Sequence, residues 1–231
     1  MHQYGQYCPI AQALEIIGDR WTLLIIRDLL AGTRHFNELE RGLPGISRGL
    51  LADRLRRLQQ MDIVEKQEIS KGRRTTEYLL TEAGRELQEV MDSLLSWGAA
   101  WAFDDPRPDE LDPVLLMWWM RRRVCTEQLP KERVVVQFDF FHHKLESYWL
   151  LMDAEDVSVC LTYPGFEINV LVTADLAAYY QLWLGRVSYE EALTQYDIRV
   201  DGLPALVREF PNWFTWSPAA TTVRAVQARF R

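Results

Sequence analysis

The tightest constraint on this chain is a four-residue turn, Pro44-Gly45-Ile46-Ser47, set between two helical patterns. Phe36–Leu43 reads as a short helix that Pro44-Gly45 closes. Ser47 opens the next one, because its hydroxyl can accept from the free amides of a first helical turn. Along that second helix Leu51, Leu55 and Leu58 fall at i, i+4 and i+7 and form one apolar stripe. With the stripe turned inward, the outward face centres on Gly49, Asp53 and Arg56, flanked by Arg48, Ala52 and Arg57.

The neighbouring segments complete an order of elements. Ile10, Leu14, Ile17 and Trp21 recur at helical spacing, with a break between two helices at Gly18-Asp19. The second helix runs from Trp21 to Leu30 and stops at Gly32, which can take the left-handed geometry of a helix end. Downstream, Ile63–Ile69 and Thr75–Leu80 are β-prone runs around the basic loop Ser70–Arg74, and read as a hairpin. Thr81 then caps a long last helix to about Trp101. In it Leu87, Val90, Leu94, Trp97 and Trp101 alternate in spacings of 3 and 4, a heptad seam for a second helix.

Helix, helix, short helix, turn, helix, hairpin, long helix is the order of a mainly α winged helix-turn-helix domain. Such a set suits duplex DNA mechanically: the helix after the turn fits a major groove, and the hairpin reaches an adjacent groove or backbone. Ser47 and the helix N-terminus can receive a phosphate, and Gly49 leaves room for close approach. Arg48 and Arg56 reach guanine edges, each good bidentate pair being worth about 1–3 kcal/mol of discrimination. Asp53 either pairs with Arg56 or Arg57 or accepts from a cytosine amino group. Lys71, Arg73 and Arg74 at the hairpin tip grip phosphates, and Arg34 is counted with the same surface.

The net charge of −7 weakens long-range steering toward DNA, so its distribution matters. Residues 1–103 carry 13 Lys+Arg against 14 Asp+Glu, and the remaining residues 13 against 19. Within Thr33–Tyr78 the balance turns to 10 basic against 7 acidic. A basic footprint is therefore confined to the turn, the helix after it and the hairpin.

Other classes find no support. No apolar run reaches the roughly 18 residues of a membrane span, and the first residues lack the features of a secretory signal. Cys8, Cys125 and Cys160 are too few and scattered for a disulfide framework or metal cluster, which leads to an expected cytoplasmic location. His142-His143 are read as neighbours on a strand pointing to opposite faces, hence no metal site. Neither a phosphate loop, a nucleophile elbow nor a zinc-ligand spacing occurs, so no catalysis and no cofactor are expected.

The run CPIAQALEIIGDRWTLLIIRDLL from Cys8 to Leu30 resembles the opening signature of the HxlR family of bacterial regulators. Phe36 and Leu39, the stretch Leu43–Ser47, the Leu51/Leu55/Leu58 helix, and Tyr78, Leu80, Thr81 and Gly84 continue the resemblance in order, over about Cys8–Trp101. The resemblance implies a winged-helix dimer on double-stranded operator DNA, with dimer contacts from the first and last helices. Family members often carry Pro after the Ser of the Ile-Ser pair, where this chain has Arg48, so base preference does not carry over. Some members sense oxidants through a cysteine near the N-terminus, and Cys8 matches that position. Pro9 starts a helix immediately after it, and a helix N-terminus favours a thiolate. The opposing reading is a small buried hydrophobe.

Phe103–Pro113, with three prolines and five acidic residues, is a natural boundary. It leads to an expected division into 1–103, a linker 104–113, and 114–231. Arg121, Arg122 and Arg123 are expected to pair with that acidic linker. In the last part, strands at Val134–Phe141, Ser147–Met152, Val157–Tyr163, Phe166–Thr173 and Tyr196–Val200 mix with helices after Val114, Asp175 and Ser188 and over Leu203–Trp213. Asp201-Gly202 is expected to turn, and the sum is an α+β domain. The run VTADLAAYYQLWLGRVSYEEAL from Val172 to Leu193, followed by Asp201–Leu206, resembles sterol-carrier-protein-like domains. Such domains hold an apolar ligand between helices and sheet. That implies an apolar small-molecule effector, with Trp118, Phe138, Phe140, Tyr163 and Trp183 as lining candidates; the opposing reading is that these aromatics simply fill a core. The expectation is a homodimeric repressor-type regulator, the alternative a carrier or buffer of apolar molecules.

Overall fold

The computed structural model describes residues 4–71 and 73–230, and of residues 70, 71, 73, 74 and 230 the backbone only. The chain divides into two compact units, Met1–Leu94 and Leu95–Arg231. No described helix is long and apolar enough to cross a membrane.

The first unit contains α1 (Pro9–Ile17), α2 (Thr22–Leu30), α3 (Phe36–Gly42), α4 (Arg48–Gln60), β1 (Val64–Lys71), β2 (Arg73–Leu80), α5 (Glu82–Glu86) and the start of α6 (Gln88–Trp101). Pro9 occupies the first turn of α1, where its missing N–H costs nothing. Ser47 caps α4 by accepting from Leu50 N at 3.2 Å, and Thr81 caps α5 by accepting from Gly84 N at 3.1 Å. The core gathers Ile25, Ile26, Leu39 and Leu51, none of them exposed, around Leu55 and Leu58. Burying that many aliphatic side chains, at about 1.5–3 kcal/mol each, holds the helices together.

Three details depart from the sequence reading. Trp21 lies outside α2, in the left-handed region at φ 79°, and the helix starts at Thr22. The long last helix is two: α5 ends at Glu86 and α6 restarts at Gln88. Between them Leu87 packs on the unit's own core, whereas α6 has no buried residue; one straight helix could not serve both. The hairpin strands are also longer than read, pairing from Val64↔Leu80 to Lys71↔Arg73, so the basic residues belong to the strands. Beside β2 runs the α2–α3 connection, with Tyr78 N donating to Arg34 O at 2.8 Å.

The second unit contains the rest of α6, α7 (Pro113–Arg121), β3 (Val134–Phe141), β4 (Leu145–Met152), β5 (Val157–Cys160), β6 (Val170–Asp175), α8 (Leu176–Trp183), α9 (Tyr189–Gln195), β7 (Ile198–Gly202), α10 (Pro204–Glu209) and α11 (Ala220–Phe230). Its sheet runs β5-β4-β3-β6-β7; β3 and β6 are parallel and the other pairs antiparallel. Alternation sends Val136, Phe138 and Phe140 to one face, where they meet Leu116, Tyr179, Trp183, Phe210 and Trp213 in the core. On the other face Trp149 Nε1 donates to Gln137 Oε1 at 3.0 Å, and Gln137 and Ser147 each donate to Asp139 at 2.7 Å.

Here too the sequence reading needs correction. Asp201 and Gly202 pair with Leu171 and Val170 inside β7 rather than turning. The strand expected from Phe166 begins at Val170, because Tyr163 OH donates to Phe166 O and keeps that segment in a loop. His142 and His143 sit in the β3–β4 turn with ring centroids 4.1 Å apart, so they do not point to opposite faces of a strand. The helix expected over Leu203–Trp213 is α10 followed by a 3-10 turn at Phe210–Trp213, and α11 was not anticipated. The acidic stretch is not free chain: Tyr180 OH donates to Asp112 O at 2.8 Å, and Arg186 pairs with Asp105 at 3.0 Å. The contact boundary between units accordingly falls within α6, before that stretch.

Gly84 tests the packing of α5. A Cβ there would run into the Ile63 carbonyl oxygen and the Leu80 side chain. Gly84→Ala is expected to lower unfolding free energy by about 1–3 kcal/mol, the usual cost of overpacking, read by urea denaturation.

Candidate nucleic-acid interface

The outward face of α4 follows from the burial of Leu51, Leu55 and Leu58, which are 0–1% exposed. Ser47, Arg48, Gly49, Asp53 and Arg56 stand exposed, with Ala52 and Arg57 half-buried beside them. Gly49 is the centre of this face, and a Cβ built there would meet nothing within 4 Å. The fold therefore does not ask for glycine at that position. Gly49 stands in the first turn of α4, directly after Arg48, and leaves the helix surface open there.

The arginines divide by what holds them. Arg56 pairs with Asp53 at 2.6 Å, both side chains more than 60% exposed, and swings free at little cost. In the isolated chain Asp53 is thus a partner of Arg56. Arg48 bonds to Glu40 and, at 3.3 Å, to Asn37, and its guanidinium lies 5.0 Å over the Phe36 ring. It is folded back on α3 yet 63% exposed. Arg57 faces away from this surface: it donates to the Asp19 carboxylate and the Glu15 carbonyl, at the junction of α1 and α2. Arg54, absent from the sequence reading, joins it by donating to Arg20 O at 3.3 Å and approaching Asp19 at 3.7 Å. These two arginines brace α4 against the α1–α2 turn.

Arg34 is 59% exposed and lies 3.7 Å from Glu77 on β2. Lys71, Arg73 and Arg74 sit at the far end of the hairpin, and their side chains lie outside the described residues. The seam residues Val90, Leu94, Trp97 and Trp101 are 40–69% exposed, and Ile10 and Leu14 of α1 are exposed as well. Cys8 is half-buried at the N-cap of α1 and makes no side-chain cap.

The ligand-lining candidates do not all meet. Phe138 and Phe140 pack on Tyr179 with centroids 5.9 and 5.3 Å apart. Trp183 packs on Phe214 and Trp216 within the same core, and Trp118 lies beneath the Arg121 guanidinium at 4.9 Å. Tyr163 stands apart, 62% exposed, its ring against Trp149 on the opposite face of the sheet. Among the described residues Tyr179 OH, Tyr189 OH and Trp213 Nε1 are buried without a hydrogen-bond partner. Burial pushes the Tyr179 phenol well above its ordinary value and Tyr189 up to about 12. Arg121 also donates to Val157 O, and the acidic stretch meets Arg186.

Comparison with known proteins decides what this surface belongs to. The HxlR-like helix-turn-helix family matches residues 16–105. An uncharacterized HTH-type transcriptional regulator of Mycobacterium tuberculosis (strain CDC 1551 / Oshkosh) is 41% identical over 118 residues, 51% of this chain and 69% of the relative. The chain belongs to the HxlR-like helix-turn-helix family. The HTH-type transcriptional regulator YodB of Bacillus subtilis is 38% identical over 91 residues, 39% of this chain and 81% of YodB. The solved reduced form of YodB aligns at TM-score 0.38 and 36% identity, covering 42% of this chain and 96% of that one. The oxidized redox regulator HypR aligns at TM-score 0.40 and 30% identity, covering 42% and 100%. As an HxlR-type protein this chain is a helix-turn-helix transcriptional regulator.

Within this HxlR-type regulator the two kinds of α4 arginine give opposite expectations. Arg57→Met removes charge-assisted bonds from a half-buried joint and is expected to cost about 1.5–3 kcal/mol. Arg56→Met, on the exposed face, is expected to leave stability within about 0.5 kcal/mol of the parent. Guanidinium chloride denaturation of the two variants checks both.

Proposed function

We propose that this chain is a dimeric, operator-binding repressor whose DNA affinity responds to a small apolar effector on the second unit or to modification of Cys8. The observation that carries the DNA reading is the exposed α4 face around Gly49, where the fold leaves a helix with no side chain and no neighbour. Ser47 and the first amides of α4 meet a phosphate, Arg56 and Arg48 reach base edges, and Lys71, Arg73, Arg74 and Arg34 hold flanking phosphates. Dimerisation is supported by α6, a helix of 14 residues with none buried. A helix carrying Val90, Leu94 and Trp97 in the open needs a partner for that stripe; Ile10 and Leu14 of α1 are exposed as well.

The effector reading is supported by the second unit's aromatic core, in which three buried polar groups lack partners. Each such group costs about 1–3 kcal/mol, and an occupant bearing acceptors would relieve that. Trp118, Phe138, Phe140 and Trp183 remain its proposed walls. Tyr163 is kept as a candidate on the opposite face of the sheet.

Fluorescence anisotropy with duplex DNA from the chain's own promoter region, against random duplex of equal length, tests the reading. Specific binding is expected to exceed random binding by at least about 10³ at physiological salt; equal affinities lost together as salt rises would overturn it. Gly49→Ala is expected to leave the stability of the free protein within about 0.5 kcal/mol of the parent while weakening operator binding. Lys71→Met is expected to weaken all duplexes alike and reduce the salt slope by about 1. If Cys8 is the sensor, Cys8→Ser abolishes the change in operator affinity caused by diamide; a retained response removes Cys8 from the mechanism.

A further inference from the structure

The second unit contains a cleft of about 210 Å³ between the last turn of α6 and α11. Ala99, Ala100 and Phe103 form one wall, and Val223 and Val226 the other. Arg186 and Gln227 supply its polar groups. An apolar cavity of about 150 Å³ holds a benzene ring, so this space fits one ring and a small polar group.

Arg186 gives the cleft its chemistry. It follows Gly185, whose φ of 81° turns the chain at the end of α8 and whose missing Cβ lets the backbone lie directly on Ala220 at the start of α11. That close approach brings the guanidinium beside α11. The Arg186 side chain is only 21% exposed, with its guanidinium 5.5 Å over the Phe103 ring. Its Nη1 donates to Asp104 O at 2.8 Å and pairs with Asp105 at 3.0 Å. Both contacts use Nη1, which leaves Nε and Nη2 as donors among the described residues. Those two are the fork that receives a carboxylate through parallel bonds. The existing counter-charge is a weak competitor, because Asp105 is 82% exposed and solvent screens such a pair.

We propose that this cleft is a binding site for a small carboxylate with a single-ring apolar body, the ring between α6 and α11 and the carboxylate on Nε and Nη2 of Arg186. This site goes beyond the effector reading given above, because none of Trp118, Phe138, Phe140 and Trp183 lines the cleft. It also gives the ligand a lever. Ala99 belongs to the same helix as Trp97 and Leu94 and lies on the side turned away from that seam, with Ala100 flanking it, so an occupant presses on α6 from behind.

Isothermal titration calorimetry of the full chain, without DNA, tests the site with benzoate and, as a neutral isostere, benzyl alcohol. Benzoate is expected to bind saturably at one site per chain, and benzyl alcohol at least about tenfold more weakly. Arg186→Gln is expected to lose about tenfold for benzoate and little for benzyl alcohol. Asp105→Asn removes the internal competitor and is expected to tighten benzoate by about threefold; this exposed position keeps the test valid if Arg186→Gln does not fold. Equal binding of the two probes, no binding of benzoate, or unchanged benzoate affinity in Asp105→Asn would each overturn the proposal. Because no DNA is present, these outcomes are independent of operator binding: a chain that takes benzoate but ignores operator refutes the regulator mechanism alone.

Discussion

Burial of Leu51, Leu55 and Leu58 sets the rotation of α4, and that rotation decides what the first unit shows to its surroundings. The stripe spans less than half the helix circumference. One edge of the remainder carries Arg54 and Arg57, which reach Asp19 and close the α1–α2 turn. The rest carries Gly49, Asp53 and Arg56 and stays exposed. A helix of similar composition in another setting would be an ordinary solvated surface. Here the bracing arginines and the Ser47 cap restrict its tilt, while the two-residue core contact of Leu87 and Gly84 anchors the hairpin end of the same unit.

The second unit is organised differently. Its core is aromatic: Phe138, Phe140, Tyr179, Phe210, Phe214 and Trp183 form edge-on contacts among β3, α8 and the 3-10 turn at Phe210–Trp213. Such pairs add to area burial by about 0.5–1.5 kcal/mol each. Tyrosine and tryptophan bring polar ends with them, and three of those ends find no partner in the packed interior.

What was legible in the sequence was local. Caps by Ser47, Thr81, Asp175 and Ser188 act within three residues, so residue identity alone places those helix starts. The leucine stripe and the β3 alternation are equally local in cause. What was not legible depends on distant partners. The helical spacing alone puts Arg57 on a DNA-facing edge, because its attachment is to Asp19, 38 positions away. The break at Leu87 and the inclusion of Gly202 in β7 answer to packing on the first unit's core and to pairing with Val170. The cleft at Arg186 joins residues from three separated stretches of chain, and its one sequence signal is an arginine after Trp183-Leu184-Gly185.

Gly84 and Gly49 look alike in the sequence and answer to opposite histories. At position 84 the backbone of the protein's own neighbour forbids any side chain, so drift there is closed whatever the regulator binds. At position 49 the folded chain is indifferent. A descendant that no longer had to meet its site would be free to accumulate alanine or larger residues there. Were α4 to meet operator through this face, as proposed, the identity of residue 49 across diverging copies of this gene would record how long each lineage went on using the surface.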